Sequence, residues 1–400
     1  MKQLSRGEHA PHLLITMPWG IGDAVSIGLS AVDQVRRNDP ENKAKVDILC
    51  NSLQAPIFEH DRRIHALIVV DKSLFPTAAA GTWKRGLSLP PQTRKLAISL
   101  RRQNYTAVLP FCFSPGFFYL LHAPILFLNI REAWDIMTML RSYKDVSTQN
   151  IIRYIINKYF ARREAHFGLG ESIPLYLRPE HVQRARHYAA CLRAQARVPE
   201  GRGSLLLVAP DTSSVITRPP TALLAQGLAD AFKRDPRLFV AILPGYTDTQ
   251  ASPRLWQALN PLFPGRIFQL PAEPRFLLLE LAAFIDQSDI FLTGDTSTMH
   301  LAAAYKRLAS PAHADLFPRN TVKIIVLFGG THPGFHGYSR RTIILGRGRK
   351  EQATFVPGIA KELYHPNGQN FFDHISPSQL TSAILGGYSF LPDEEHRECC

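Results

Sequence analysis

Thr293-Gly294-Asp295-Thr296-Ser297-Thr298-Met299-His300-Leu301-Ala302-Ala303-Ala304 follows the short apolar run Ile290-Phe291-Leu292. The apolar run reads as a buried strand, and the alanine-rich end as a helix packed on a sheet. Between them, Asp295, Thr296, Ser297 and Thr298 are all residues that cap helices, so one reading is an elaborate N-cap. The other reading is an anion site. Small hydroxyl residues, exposed amides and the positive end of a helix suit a diphosphate. His300 stands one turn into the helix, as either a half-buried core residue or a donor to phosphate or ribose.

Working outward, the same strand–turn–helix grammar recurs. Leu327-Phe328-Gly329-Gly330-Thr331-His332-Pro333 ends an apolar strand, Lys323 to Phe328, in two glycines and a hydroxyl. That is either a tight turn or a place where backbone approaches a ligand closely. Asp211-Thr212-Ser213-Ser214-Val215-Ile216-Thr217-Arg218-Pro219-Pro220 joins the strand Ser204 to Ala209 to the helix Pro220 to Arg234. Hydroxyls followed by a cation fit phosphate, and an exposed loop arginine is the simpler alternative. Near the start, His12 to Met17 is a strand that runs into Gly20-Ile21-Gly22-Asp23 and a helix from Ala24 to Arg37. Asp23 either caps that helix or serves as a general base.

Further strands are expected at Lys45 to Cys50, Ile64 to Val70, Thr106 to Cys112, Pro124 to Asn129, Phe239 to Leu243 and Ile267 to Gln269. Helices are expected at Lys95 to Gln103, Pro115 to Leu121, Thr148 to Phe160, Glu180 to Ala196, Pro253 to Leu259, Arg275 to Gln287, Thr298 to Tyr305 and Ser376 to Leu385. Such alternation builds doubly wound parallel sheets. With 400 residues the chain is long for one core and comfortable for two. A polar break from Arg197 to Gly203 separates the halves. The expected domains are therefore 1–198, 199–375 and a C-terminal helix and tail over 376–400. Ligands in such folds bind outside the carboxyl ends of the strands.

Composition narrows the function. The net charge of +13 favours an anionic partner. The basic residues lie in short clusters such as Arg101-Arg102 and Arg340-Arg341, with no basic recognition helix, so nucleic acid is not expected. Five cysteines with no zinc-like spacing do not make a disulfide framework, and the cytoplasm is the simplest compartment. Cys399-Cys400 lacks a prenylation box and reads as tail. No signal peptide is visible. Ala107 to Ile130 carries no charge, yet Pro110, Pro115 and Pro124 divide it into strand, helix and strand rather than a membrane span.

Taken in order, these motifs resemble glycosyltransferase family 9, the ADP-heptose:lipopolysaccharide heptosyltransferases. The resemblance rests on Gly20-Ile21-Gly22-Asp23, on Asp295-Thr296-Ser297-Thr298-Met299-His300-Leu301-Ala302-Ala303, and on Phe328-Gly329-Gly330-Thr331. The helix holding Leu281-Ala282-Ala283-Phe284-Ile285 is also similar. It implies an α/β GT-B fold, two Rossmann-like domains facing across a cleft, with inverting transfer, no cofactor and no essential metal. Asp23 would take a proton from the acceptor hydroxyl, and Asp295 would hold hydroxyls of the transferred sugar. Thr296, Ser297 and His300 would line the diphosphate, joined by Ser213, Ser214 and Arg218. Gly20, Gly22, Gly329, Gly330 and Thr331 would bring backbone to the cleft. Three departures stand out. Ser297 replaces the family glycine, Arg218 its lysine, and Pro219-Pro220 stand where its tryptophan would be. A polar insertion, roughly Lys306 to Asn320, is a further difference.

The resemblance implies a nucleotide-sugar donor, with an ADP-linked sugar as one candidate, and a glycan or lipid-linked acceptor. The acceptor would be read near Trp83 to Gly86 and Ser114 to Tyr119. Peripheral docking on the anionic inner leaflet would suit the positive charge. The alternatives are a GT-B-shaped binding or scaffold protein without turnover and an epimerase on the same architecture, which would need further acid/base residues.

Overall fold

The computed structural model describes residues 10–17, 20–74, 89–110, 115–128, 130–141, 145–162, 164–165, 168–198, 203–212, 214, 216–245, 250–271, 276–309, 318–339, 341–346 and 371–386. Trp83 to Gly86, Ser213 and Cys399-Cys400 lie outside these residues, as do the first residue of the stretch Ser114 to Tyr119 and residues 310–317 of the expected insertion. The chain divides into two compact units. One comprises 1–139 with 148–167, and the other 140–147 with 168–400.

The first unit holds four parallel strands: β1 (His12–Met17), β2 (Lys45–Asn51), β3 (Ala66–Val70) and β4 (Ala107–Pro110). Their order is β3-β2-β1-β4, so the chain reverses direction of winding between β1 and β4. The helix leaving β1 begins as Ile21–Asp23, continues through a π-helical turn, Ala24–Leu29, and ends as Ser30–Asn38. Asn157 ties this helix to the helix Thr148–Tyr159, accepting from Gln34 at 2.7 Å and Asn38 at 2.8 Å. Expected helices at 95–103 and 115–121 are present as Pro91–Arg101 and Pro115–Leu121. The expected strand Pro124 to Asn129 is reduced to one bridge between Val108 and Ile125. A further helix, Ile130–Arg141, was not signalled by the alternation. Among the described residues, no helix is long and apolar enough to cross a membrane.

The second unit contains β5 (Pro174–Leu177), β6 (Ser204–Ala209), β7 (Leu238–Ile242), β8 (Ile267–Gln269), β9 (Ile290–Gly294), β10 (Tyr305–Leu308), β11 (Lys323–Leu327) and β12 (Thr342–Leu345). Six of them form a parallel sheet in the order β12-β11-β9-β6-β7-β8. Counted from β6 along this sheet, that is the 6-5-4-1-2-3 order of a dinucleotide-binding Rossmann domain. Every residue of β7 and β9 is buried, as expected of strands covered on both faces. The helix Thr221–Arg234 buries Leu223, Leu224, Leu228, Ala231 and Phe232 on one stripe. Phe232 stacks on Phe263 with ring centroids 4.8 Å apart.

The division between the units falls at 167/168, ahead of the break expected at 198/199. The cause is packing: β5 pairs in parallel with β10, and the helix Pro179–Gln195 lies against the helix Leu278–Gln287. The helix Pro377–Ile384 likewise packs on the second unit instead of standing apart with the tail. Leu380 and Ile384 join its core, and Thr381 Oγ1 donates to Gly227 O at 3.0 Å. The helix expected over Thr298 to Tyr305 stops at Ala303, because Tyr305 already belongs to β10.

Candidate donor site at the carboxyl edge of the second sheet

β6 and β9 are neighbours at the centre of the six-stranded sheet. The connections that leave them run to helices on either side of the reversal point, where open α/β sheets bind ligands. The loop after β6 is the 211–220 segment, and the turn after β9 is Asp295-Thr296. Two sequence motifs that are far apart in the chain therefore share one edge.

Gly294 makes their approach possible. A Cβ there would collide with the Thr217 carbonyl oxygen and lie 3.0 Å from Pro219 Cδ. The turn after β11 closes on the same loop. Gly330 N–H donates to Ile216 O at 2.8 Å, and a Cβ on Gly329 would be 2.7 Å from that oxygen.

The 211–220 loop is held from within. Thr212 Oγ1 donates to Ser214 O at 2.7 Å, and Thr217 Oγ1 donates to Thr212 Oγ1 at 3.0 Å. Arg218 lies along the loop. It donates from NH2 to Thr212 O at 2.7 Å and stands 3.3 Å from the buried carboxylate of Asp211. Its guanidinium carries five donors, so the bonds to its own loop do not exhaust it.

Thr296 is the N-cap of the helix Ser297–Ala303, and its hydroxyl accepts from Thr298 N–H at 3.1 Å. The capping role read from the sequence is therefore real for Thr296. Thr298 is buried, 3.2 Å from Thr293 Oγ1 and 3.0 Å from Thr296 Oγ1. Asp295, Thr296 and Ser297 remain partly exposed around this turn. The Thr331 hydroxyl oxygen is buried and makes no hydrogen bond to the described residues. Buried polar atoms normally have a partner, so this one suits a ligand atom.

His300 is buried, with Nδ1 2.7 Å from the Tyr338 hydroxyl. Burial pushes its pKa down to about 4, against the pull of Asp295 and with the help of nearby His336. The ring is thus neutral near pH 7. Asp295, His300 and His336 each offer one ligand atom, all within 4.8 Å of one another. The three could hold a divalent cation or bond directly to a sugar and its diphosphate. His336 and Tyr338 were not singled out from the sequence. They follow the Gly329-Gly330-Thr331 turn by a few residues, at the end of the short helix Pro333–His336 and just beyond it. The signal was the histidine-rich continuation of that turn.

In the first unit, Gly20 precedes the helix Ile21–Asp23, and Asp23 Oδ2 accepts from Gly20 N–H at 2.9 Å. Gly20 O in turn accepts from Gln54 Nε2 at 3.2 Å. Gly22 lies inside this first turn. Asp23 therefore caps its helix from the third position, at the carboxyl end of β1 and beside a π-helical turn, a distortion frequent at functional sites.

No protein-family model matches this chain, and no curated protein does. Solved structures do. A glycosyl transferase of family 9 from Veillonella parvula superposes with a TM-score of 0.62 at 16% identity, over 96% of this chain and 98% of that one. The chain has the fold of a family 9 glycosyltransferase. The E. coli ADP-heptose lipopolysaccharide heptosyltransferase II gives a TM-score of 0.58 at 14% identity, over 94% and 98%. The E. coli heptosyltransferase WaaC with ADP gives 0.55 at 14%, over 94% and 100%. The two units are the two Rossmann-like domains of this GT-B class. The family 9 likeness is thus one of backbone over nearly the whole chain, with few identical residues.

Proposed function

We propose that the chain is an inverting glycosyltransferase that moves a sugar from a nucleoside diphosphate to a glycan or lipid-linked acceptor. The observation that carries this is the convergence of the Asp211–Pro220 loop, the Asp295–Ser297 turn and the Gly329–Thr331 turn at one edge of a Rossmann sheet. The donor is assigned to this edge. Asp295 bonds sugar hydroxyls, and Ser297, the neutral His300 and Thr331 meet the diphosphate, with Ser214 and Arg218 on the facing loop. An ADP-linked heptose or a related sugar is the first donor to try, since similar structures are named for ADP-heptose and ADP.

The chemistry is a displacement. The acceptor oxygen attacks the anomeric carbon as the bond to the diphosphate breaks. Arg218 and the helix amides offset charge growing on the leaving group, without a metal. Asp23 takes the acceptor proton, and attack from the face opposite the leaving group inverts the centre. Its capping bond from Gly20 N–H holds the carboxylate at the start of the helix. We assign the reaction to the cytoplasmic face of the membrane, where the net charge of +13 suits anionic lipid.

A second reading has its own support. Asp211 already offsets the charge of Arg218, and Thr296 is bound to its own helix cap. A sugar-nucleotide-binding scaffold without turnover would be built this way. Release of nucleoside diphosphate from a panel of nucleotide sugars, with a lipid-linked glycan present, separates the two. Turnover with an inverted anomeric product supports the transferase. Saturable binding without release supports the scaffold.

A further inference from the structure

The amino ends of the first unit's strands, opposite the end that carries Asp23, gather a second group of side chains. His12 opens β1, Asp47 lies in β2 beside Leu14 of β1, and His65 immediately precedes β3. The Asp47 carboxylate is buried. Its Oδ2 accepts from the Tyr105 hydroxyl at 3.0 Å and lies 2.9 Å from His12 Nε2. Its Oδ1 lies 2.8 Å from His65 Nδ1.

The His12 ring is the informative member. Its Nδ1 stands 3.1 Å from the Gln103 carbonyl oxygen, and its Nε2 faces a carboxylate. Both partners are acceptors, whereas a neutral imidazole has a single N–H. With the hydrogen on Nδ1, a lone pair of Nε2 would point at Asp47. Something positive belongs between them, either a second proton or a metal ion.

The surroundings suit a metal. His12 Nε2, an Asp47 oxygen and His65 Nδ1 lie within 4.8 Å of one another. Tetrahedral zinc with bonds of about 2.0–2.2 Å spaces its ligands by roughly 3.4 Å, which lies inside the 4.8 Å over which these three atoms are spread. Gln103 O fixes the His12 tautomer that frees Nε2, and Tyr105 orients the carboxylate, which is the outer support that metal-bound His and Asp receive. The His65 side chain is 46% exposed, which leaves that side accessible to a water as fourth ligand. Two imidazoles and one carboxylate favour zinc, cobalt or nickel over magnesium or calcium.

We infer that His12, Asp47 and His65 bind one divalent ion of the zinc type, which pins together the amino ends of three neighbouring strands. The role is stabilising and separate from sugar transfer. The test uses the full chain, stripped with EDTA and dialysed, and titrated calorimetrically with zinc chloride. The wild type should bind one zinc per chain and melt at higher temperature with it. His65→Ala, which removes a half-exposed ring, should lower the affinity at least tenfold and abolish the thermal shift. His336→Ala should leave both unchanged, which separates this site from the Asp295–His300–His336 cluster. With cobalt(II), the wild type should show the intense visible bands of a tetrahedral site, and His65→Ala should not. Absence of saturable zinc binding, equal binding by His65→Ala, or loss in His336→Ala instead would overturn the inference.

Discussion

The carbonyl oxygen of Thr217 occupies the space that a side chain on Gly294 would need. This one contact joins the loop after β6 to the end of β9 and sets the width of the proposed donor edge. Gly294→Ala should therefore push the loop outward, at a cost of about 1–3 kcal/mol, the usual penalty of overpacking. Denaturant melts would show the loss of stability, and calorimetry with the donor nucleotide should show weaker binding. A variant as stable and as tight as wild type would mean that the two motifs do not work as one site.

Asp23 carries two assignments that substitution can separate. Asn keeps an oxygen to accept from Gly20 N–H but cannot act as a base at neutral pH. Asp23→Asn should leave the melting temperature nearly unchanged while transfer falls by about 10²–10⁴-fold. Asp23→Ala should lose activity equally and destabilise by about 1 kcal/mol. Full activity in Asp23→Asn would reduce the residue to a cap.

His300 is expected to work as a neutral ring. With its pKa near 4, donor binding should show no His300 titration between pH 6 and 8. Stability should behave differently. The unfolded ring takes its proton near pH 6.5 and the folded ring near 4, so the contribution from His300 is lost as pH falls across that interval. Tyr338→Phe removes the partner of Nδ1 and should weaken donor binding by roughly tenfold, since an unmet buried group costs about 1–3 kcal/mol. Binding isotherms of the two proteins at pH 6 and 8 would check the statements on donor binding, and thermal melts of the wild type from pH 7 down to 4 the one on stability.

How much of this was legible beforehand follows the physics of each element. The strands β6, β7, β9 and β11 are continuous apolar runs, and burial on both faces leaves that mark in sequence. Of the strands that were missed, β5 opens on a proline, and β10 and β12 lie in or beside cation-rich sequence. β10 also carries Lys306, a residue that argues against a core strand. The motifs at the strand ends were visible because turns and helix starts demand particular residues. What could not be read was how they engage their surroundings. The pairing of Arg218 with Asp211 and the contacts of His300 with Tyr338 and His336 are set by tertiary packing. The division at 167/168 escaped notice because β5 joins a strand that follows it by more than a hundred residues.

Lys306 itself gives a prediction. It is buried, donates to Ala302 O at 2.8 Å, and is pushed down by burial to about 7 despite nearby Asp286. The unfolded lysine takes a proton near pH 10.5, well before the folded one. Stability should thus fall as pH drops from about 10 towards 7. Lys306→Met should flatten that slope, whatever its absolute melting temperature. Thermal melts of both proteins across the interval would reveal it. Parallel slopes would mean that Lys306 keeps its ordinary affinity for protons.

The most direct test of the donor assignment is a thermal-shift titration of the full chain with nucleotide sugars, ADP-heptose and other ADP- and UDP-linked sugars among them, beside Asp295→Ala. A ligand that binds only the folded state raises the melting temperature. A donor site at this edge predicts a saturable rise with one nucleotide sugar and its loss in Asp295→Ala. A rise of equal size in both proteins, or none with any nucleotide sugar, would contradict it.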